Sequence, residues 1–141
     1  IEKYEDVLVA AAGRGLPMIC ANPDLVVIVG ERMSICAGTF AKRYDELGGE
    51  VFYHGKPHAS VYRTCLGLLG LPPERVLGIG DSLRTDIAGA NAAGLASLLL
   101  LDGIHGEEIA AMPGDSLDER LRAMAAREGA APTYVGGKMV W

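Results

Sequence analysis

Val76-Leu77-Gly78-Ile79-Gly80-Asp81-Ser82-Leu83-Arg84-Thr85-Asp86-Ile87 is the stretch on which the fold turns. An apolar strand over residues 76–79 runs into Gly80 and Asp81. A helix over residues 86–93 follows, and its Ala88, Gly89, Ala90, Ala92 and Ala93 allow close approach to a sheet. Gly94 stops that helix, and residues 95–101 form a near-continuous apolar run, the pattern of a strand covered on both faces. Upstream, residues 60–69 place Val61, Tyr62, Cys65, Leu66 and Leu69 on one helical stripe closed by Gly70, and Pro72-Pro73 connects it to the strand. Helix, strand, helix, strand with short connectors predicts an α/β fold with a mainly parallel sheet and right-handed crossovers.

Further out the signals are shorter. Residues 2–14 read as a helix with Tyr4, Val7, Leu8 and Ala11 on one face, and residues 17–21 as a strand ending in the turn cluster Asn22-Pro23-Asp24. Residues 25–29 and 33–36 flank Gly30-Glu31-Arg32 as a hairpin. Residues 40–47 read as a helix stopped by Gly48-Gly49, and 51–53 as a strand. Residues 116–127 give one more helix, and the tail 133–141 reads as a strand pair turning at Gly136-Gly137.

Composition bounds the function. Half of the 141 residues are apolar, enough for a packed core, and 22% are charged with a net charge of −5. An acidic balance argues against nucleic acid or an anionic membrane surface as a partner. The longest apolar run, 95–101, is far short of a bilayer span. Cys20, Cys36 and Cys65 form no C-x-x-C pair and read as reduced thiols of a cytoplasmic protein, with Cys20 and Cys65 in apolar runs expected in the core. The chain begins with Ile, which implies processing or a partial chain, and a homo-oligomer is compatible with it.

Chemistry concentrates at the end of the central strand. Asp81 stands at the carboxyl edge, where open α/β sheets bind their ligands, and Asp86 follows five residues later. Two such carboxylates can hold a hard divalent cation, one directly and one through water or a supporting hydrogen bond. Equally, Asp86 or Thr85 can cap the helix, with Asp81 a turn residue. Gly55-Lys56-Pro57-His58 places a lysine on a defined loop before a helix, where its ammonium could neutralise a phosphate. His105 follows a buried strand at the same edge and reads as a polar loop residue, the alternative being a side chain that reaches a substrate. Gly78-Ile79-Gly80 only begins a dinucleotide fingerprint, because position 83 is Leu, and Pro57 spoils His54 and His58 as a helical metal pair.

Gly-Lys-Pro, a helix, a buried strand and then Gly-Asp-x-x-x-x-Asp resemble the third and fourth motifs of the haloacid dehalogenase (HAD) superfamily. Asn22-Pro23-Asp24 is similar to the Thr-Asn-Pro-Asp turn near the end of the cap in its NagD-like branch, class II A. Gly38, Gly48-Gly49 and Gly103-Ile104-His105 fit that branch's spacing. The resemblance implies a Rossmann-like core, three-layer α/β/α, of which this chain is the C-terminal half with a remnant of the C2-type α/β cap. It places the end of the cap over residues 1–36 and the core over 37–141.

The activity so implied is hydrolysis of a small phosphorylated metabolite, such as a sugar phosphate, through an aspartyl-phosphate intermediate with Mg²⁺. Lys56 would steady nucleophile and phosphate, Asn22 would meet the substrate, Asp81 would ligate the metal with Asp86 in support, and Ser82 would orient the loop. The superfamily's nucleophilic Asp-x-Asp is absent, since no two aspartates here are two residues apart, and the second motif's Ser or Thr is unaccounted for. The alternative is therefore a catalytically inactive module that binds metal or phosphate. A receiver-like signalling domain fits less well, because there the lysine follows the phosphorylated aspartate, whereas Lys56 precedes Asp81.

Overall fold

The computed structural model of the chain describes residues 1–29 and 32–140, arranged as two compact units, Ile1–Ser60 and Val61–Trp141.

The first unit opens with a 3-10 turn, Glu2–Tyr4, leading into α1 (Glu5–Gly13). Strand β1 (Met18–Cys20) pairs in parallel with β4 (Val51–Tyr53), Cys20 facing Tyr53 across the ladder. Between them lie the antiparallel pair β2 (Val26–Val29) and β3 (Arg32–Ile35), then α2 (Ala37–Glu46). The hairpin is the one the sequence predicts, although Gly30 and Glu31 of its turn lie outside the described residues. Leu8, Cys20, Ala41 and Tyr44 are buried, and the Tyr44 hydroxyl donates to the Leu16 carbonyl at 2.5 Å, which satisfies its one polar atom. The apolar face expected on α1 is narrower than its sequence suggests: Leu8 is buried, whereas Tyr4 and Val7 are exposed. Arg43 of α2 reaches back to α1, its Nε donating to Glu5 at 3.0 Å.

The second unit is built on a parallel sheet in the order β5-β6-β7, comprising Leu77–Gly80, Ala96–Leu100 and Tyr134–Gly136. Helix α3 (Ala59–Leu69) precedes β5. The first crossover is a wide turn, Leu83–Ile87, continued by α4 (Ala88–Ala92), and the second holds α5 (Gly106–Ala111) and α6 (Leu117–Glu128). Leu83, Ile87, Leu99, Ile109, Met124 and Ala130 form the core, so both crossovers pack on the central strand β6. Register at the third strand is pinned by a reciprocal pair: Ser97 N–H donates to Thr133 Oγ1 at 3.0 Å and Thr133 N–H to Ser97 Oγ at 3.2 Å. That exchange satisfies Ser97, which is fully buried.

The mixed α/β class with parallel pairing is thus the one the sequence predicts, but three local expectations are corrected. The tail is not a hairpin. Among the described residues it gives a single strand, β7, because Gly136 and Gly137 continue alongside β6 instead of reversing the chain, their carbonyls accepting the N–H groups of Leu101 and Asp102 at 2.9 and 3.1 Å. Cys65 is exposed rather than core, and α3 buries none of its residues. Periodicity marks an apolar stripe but not the surface that covers it. The helix expected from Asp86 begins earlier, in the wide turn at Leu83.

Candidate functional site

Asp81 leaves the carboxyl end of β5, and the chain then folds back on itself over five residues. Ser82 caps the turn, its hydroxyl accepting the Thr85 N–H at 3.3 Å, so neither Thr85 nor Asp86 is the capping residue. The Ser82 carbonyl takes both the Asp86 and the Ile87 N–H at 3.0 Å, and the longer of these two reaches widens the turn beyond an α-helical one. The Asp86 side chain is 9% exposed, and its Oδ2 accepts the N–H groups of Asp81 and Ser82, each at 3.1 Å. A Cβ at position 80 would collide with that carboxylate, so the approach needs glycine. The Tyr62 hydroxyl donates to the Asp86 carbonyl at 3.3 Å, and burial foremost, then the Asp86 charge, pushes this phenol's pKa upward.

Asp81 is held from the other side. The loop after β6 brings Ile104 N–H within 3.1 Å of Asp81 Oδ2, and Gly103 lies so close that any side chain there would strike the carboxylate. Oδ1 of Asp81 accepts no hydrogen bond among the described residues. Asp81 borders a cavity of about 280 Å³ lined also by Gly80, Leu100, Asp102, Gly103, Lys138 and Met139. Lys138 sits 3.4 Å from Asp102, both largely exposed. These two residues had no motif to mark them. Their shared signal is position, since each follows the carboxyl end of a parallel strand.

An oriented carboxylate with one open oxygen, backed by a second that organises its loop, suits a hard, oxygen-seeking dication such as Mg²⁺. Among the described residues no three or more of His, Cys, Asp and Glu gather as a metal cluster.

The remaining candidates lie in the first unit. Lys56 follows β4 on an exposed loop whose Gly55 is buried against Ala21 and Pro23. A side chain at 55 would overlap Pro23, so the Asn22-Pro23-Asp24 turn and the Gly-Lys-Pro loop pack together. Asn22 braces that turn, its Oδ1 accepting the Asp24 N–H at 3.1 Å. His58 N–H donates to the Gly55 carbonyl at 2.8 Å, and its ring stacks on Tyr53 with centroids 4.9 Å apart. Burial, then the hydrogen bond to Asp45, holds the Tyr53 phenol at a pKa of about 12.

His105 departs from expectation. It is 1% exposed, not an open loop residue, with Nδ1 3.3 Å from Glu108 Oε2. No signal in the sequence marked its burial.

Among known proteins, the HAD-hydrolase-like family profile matches residues 53–135, more than half of the chain. Ribonucleotide monophosphatase NagD of Escherichia coli K12 is 32% identical over 101 residues, covering 70% of this chain and 39% of NagD. The structure of p-nitrophenyl phosphatase from Archaeoglobus fulgidus aligns with a TM-score of 0.74 at 29% identity, covering 96% of this chain and 48% of that one. Glycerol phosphate phosphatase of Mycobacterium tuberculosis, in complex with calcium, aligns with a TM-score of 0.66 at 26% identity, covering 92% and 34%. The chain spans less than half the length of each. No helix among the described residues is long and apolar enough to cross a membrane. With its motifs, its parallel α/β architecture and the family match in agreement, the chain belongs to the HAD superfamily of hydrolases, in its NagD-like branch.

Proposed function

We propose that the chain is the C-terminal part of a cytoplasmic, Mg²⁺-dependent phosphatase that hydrolyses a small phosphorylated metabolite, such as a sugar phosphate. The observation that carries this reading is the Asp81 loop, a carboxylate fixed through Oδ2 on the border of a cavity at the carboxyl edge of a parallel sheet. The relatives support it, each being named for a small phosphate monoester or for monophosphatase activity, and one holding calcium, a cation with the same preference for oxygen.

In this reading residues 1–36 close a cap and 37–141 belong to the core. Asp81 is the direct metal ligand, and Asp86 and Ser82 hold the loop that presents it. When bound, Mg²⁺ supplies positive charge that offsets the charge on the phosphoryl oxygens. Lys56 adds a compact cation that steadies phosphate and nucleophile. Asn22 keeps the turn against Gly55 and so shapes the approach to Lys56 on the substrate side. The attacking carboxylate is the first Asp of the superfamily's Asp-x-Asp, which these residues do not contain.

The test is steady-state hydrolysis of p-nitrophenyl phosphate by the full-length protein with Mg²⁺. Lys56→Ala and Asp81→Ala should each reduce turnover by ~100-fold or more, roughly 3 kcal/mol of transition-state stabilisation. Wild-type-like turnover in either variant would remove that residue from the site. Binding of Mg²⁺ or phosphate without any turnover in the parent would favour the inactive binding module.

A further inference from the structure

The loop after β6 does more than connect. Gly106 N–H donates to the Gly103 carbonyl at 3.0 Å, and the His105 carbonyl accepts the Ile109 N–H at 2.8 Å, so the backbone on either side of Ile104 is tied into α5. Between these ties His105 turns inward. Its ring is 1% exposed, Nδ1 meets Glu108 Oε2 at 3.3 Å, and Nε2 is buried with no hydrogen-bond partner among the described residues. A buried ring nitrogen left unpaired is costly, and a loop whose only duty was to turn could keep this side chain in water.

Glu108 does not end the chain of contacts. Its Oε1 lies 2.6 Å from Arg127 Nη2, which reaches Glu128 at 2.8 Å, and Glu128 Oε2 stands 3.7 Å from Nε of Arg84. Arg84 belongs to the turn between Asp81 and Asp86. The two loops at this sheet edge are therefore linked twice, directly by Ile104 N–H to Asp81 and behind it by the charged series that starts at His105.

We propose that His105 is a positioning residue for Asp81: its buried ring, anchored through Nδ1 to Glu108, fixes the Gly103 and Ile104 backbone so that the Ile104 N–H holds Oδ2 and leaves Oδ1 for the cation. The proposal rests on the reading of Asp81 as metal ligand. Two side chains separate its predictions. His105→Asn keeps a nitrogen near the place of Nδ1, and His105→Phe fills the space without one.

The experiment uses the full-length protein and two readouts: the Ile104 amide proton shift without metal, and the Mg²⁺ concentration giving half-maximal turnover of p-nitrophenyl phosphate. His105→Phe should move the Ile104 amide upfield as its bond to the carboxylate weakens. It should raise the Mg²⁺ requirement about 10-fold, with KM unchanged at saturating Mg²⁺. His105→Asn should stay close to wild type in both. Should the Phe variant fail to fold, Glu108→Ala removes the same contact from an exposed position and carries the same expectation. An unmoved Ile104 amide with an unchanged Mg²⁺ requirement in the Phe variant overturns the proposal, even if its thermal midpoint falls. So does an Asn variant that behaves like Phe. Failure of the metal reading looks different: Asp81→Asn would leave the Mg²⁺ requirement unchanged, while the metal-free Ile104 shift would still report on the positioning alone.

Discussion

Asp81 and Asp86 carry the same functional group on one loop, yet the hydrogen bonds around them assign opposite work. Asp86 is turned inward and accepts two backbone N–H groups, a charge-assisted arrangement that closes the loop. Replacing it with Ala strands both donors at a buried site, whereas Asn keeps one acceptor oxygen in place. We expect Asp86→Ala to cost roughly 2–3 kcal/mol and Asp86→Asn distinctly less, measured by urea denaturation. Amide exchange at Asp81 and Ser82 should accelerate in the Ala variant. Equal losses in the two variants would show that the acceptor bonds do not hold the loop. The sequence placed Asp81 at the strand end correctly, because an apolar run ending in Gly-Asp leaves few other options. It could not show which residue caps the turn, since Ser82, Thr85 and Asp86 all have capping oxygens and only the backbone path selects Ser82. Nor could it show His105 inside, because a His before Gly-Glu-Glu has the composition of a surface loop.

The elements divide along similar lines. Strands β5 and β6 were legible because each is an apolar run ended by Gly-Asp or Asp-Gly, and α6 because Ser116 and Glu119 bracket its first turn. Strand β7 was not, since Gly-Gly fits both a two-residue turn and an extended strand, and its pairing with β6 depends on residues far away in sequence. Short α5 was missed because its six residues make fewer than two turns, too few to repeat an apolar stripe. The α6 start has a capping box: Ser116 Oγ accepts the Glu119 N–H at 3.2 Å, and Glu119 Oε2 accepts the Ser116 N–H at 3.2 Å. Ser116→Ala should cost about 1 kcal/mol and Ser116→Asp should restore most of it, read from the urea midpoint. Because α6 also carries Met124 into the core and Arg127 and Glu128 toward the loops, an unchanged midpoint would mean that its first turn frays without consequence.

At the scale of the whole molecule, each unit has its own buried core, while the apolar Ile19 and Phe52 of the first and Leu77 and Ile79 of the second remain exposed. The proposed site residues fall in different units, Lys56 in the first and Asp81 and Asp86 in the second. What united them in the sequence was motif order, not any local pattern. That division sets an expectation for the 141-residue chain on its own. Mg²⁺ wants near-octahedral oxygen coordination and gives up water reluctantly, so it ordinarily needs more than one well-placed carboxylate. Here Asp81 presents one open oxygen, and Asp86 Oδ2 is already committed to two N–H groups. Affinity should therefore be weak, on the order of millimolar or poorer. The chain alone should not turn over p-nitrophenyl phosphate, since no Asp-x-Asp nucleophile lies within it. An amide NMR titration with Mg²⁺ should shift residues 80–86 together with Ile104, whose N–H shares the Asp81 carboxylate, and Asp81→Asn should abolish those shifts. Tight binding, or shifts confined to residues 54–58, would move the metal away from Asp81 and toward the Gly-Lys-Pro loop.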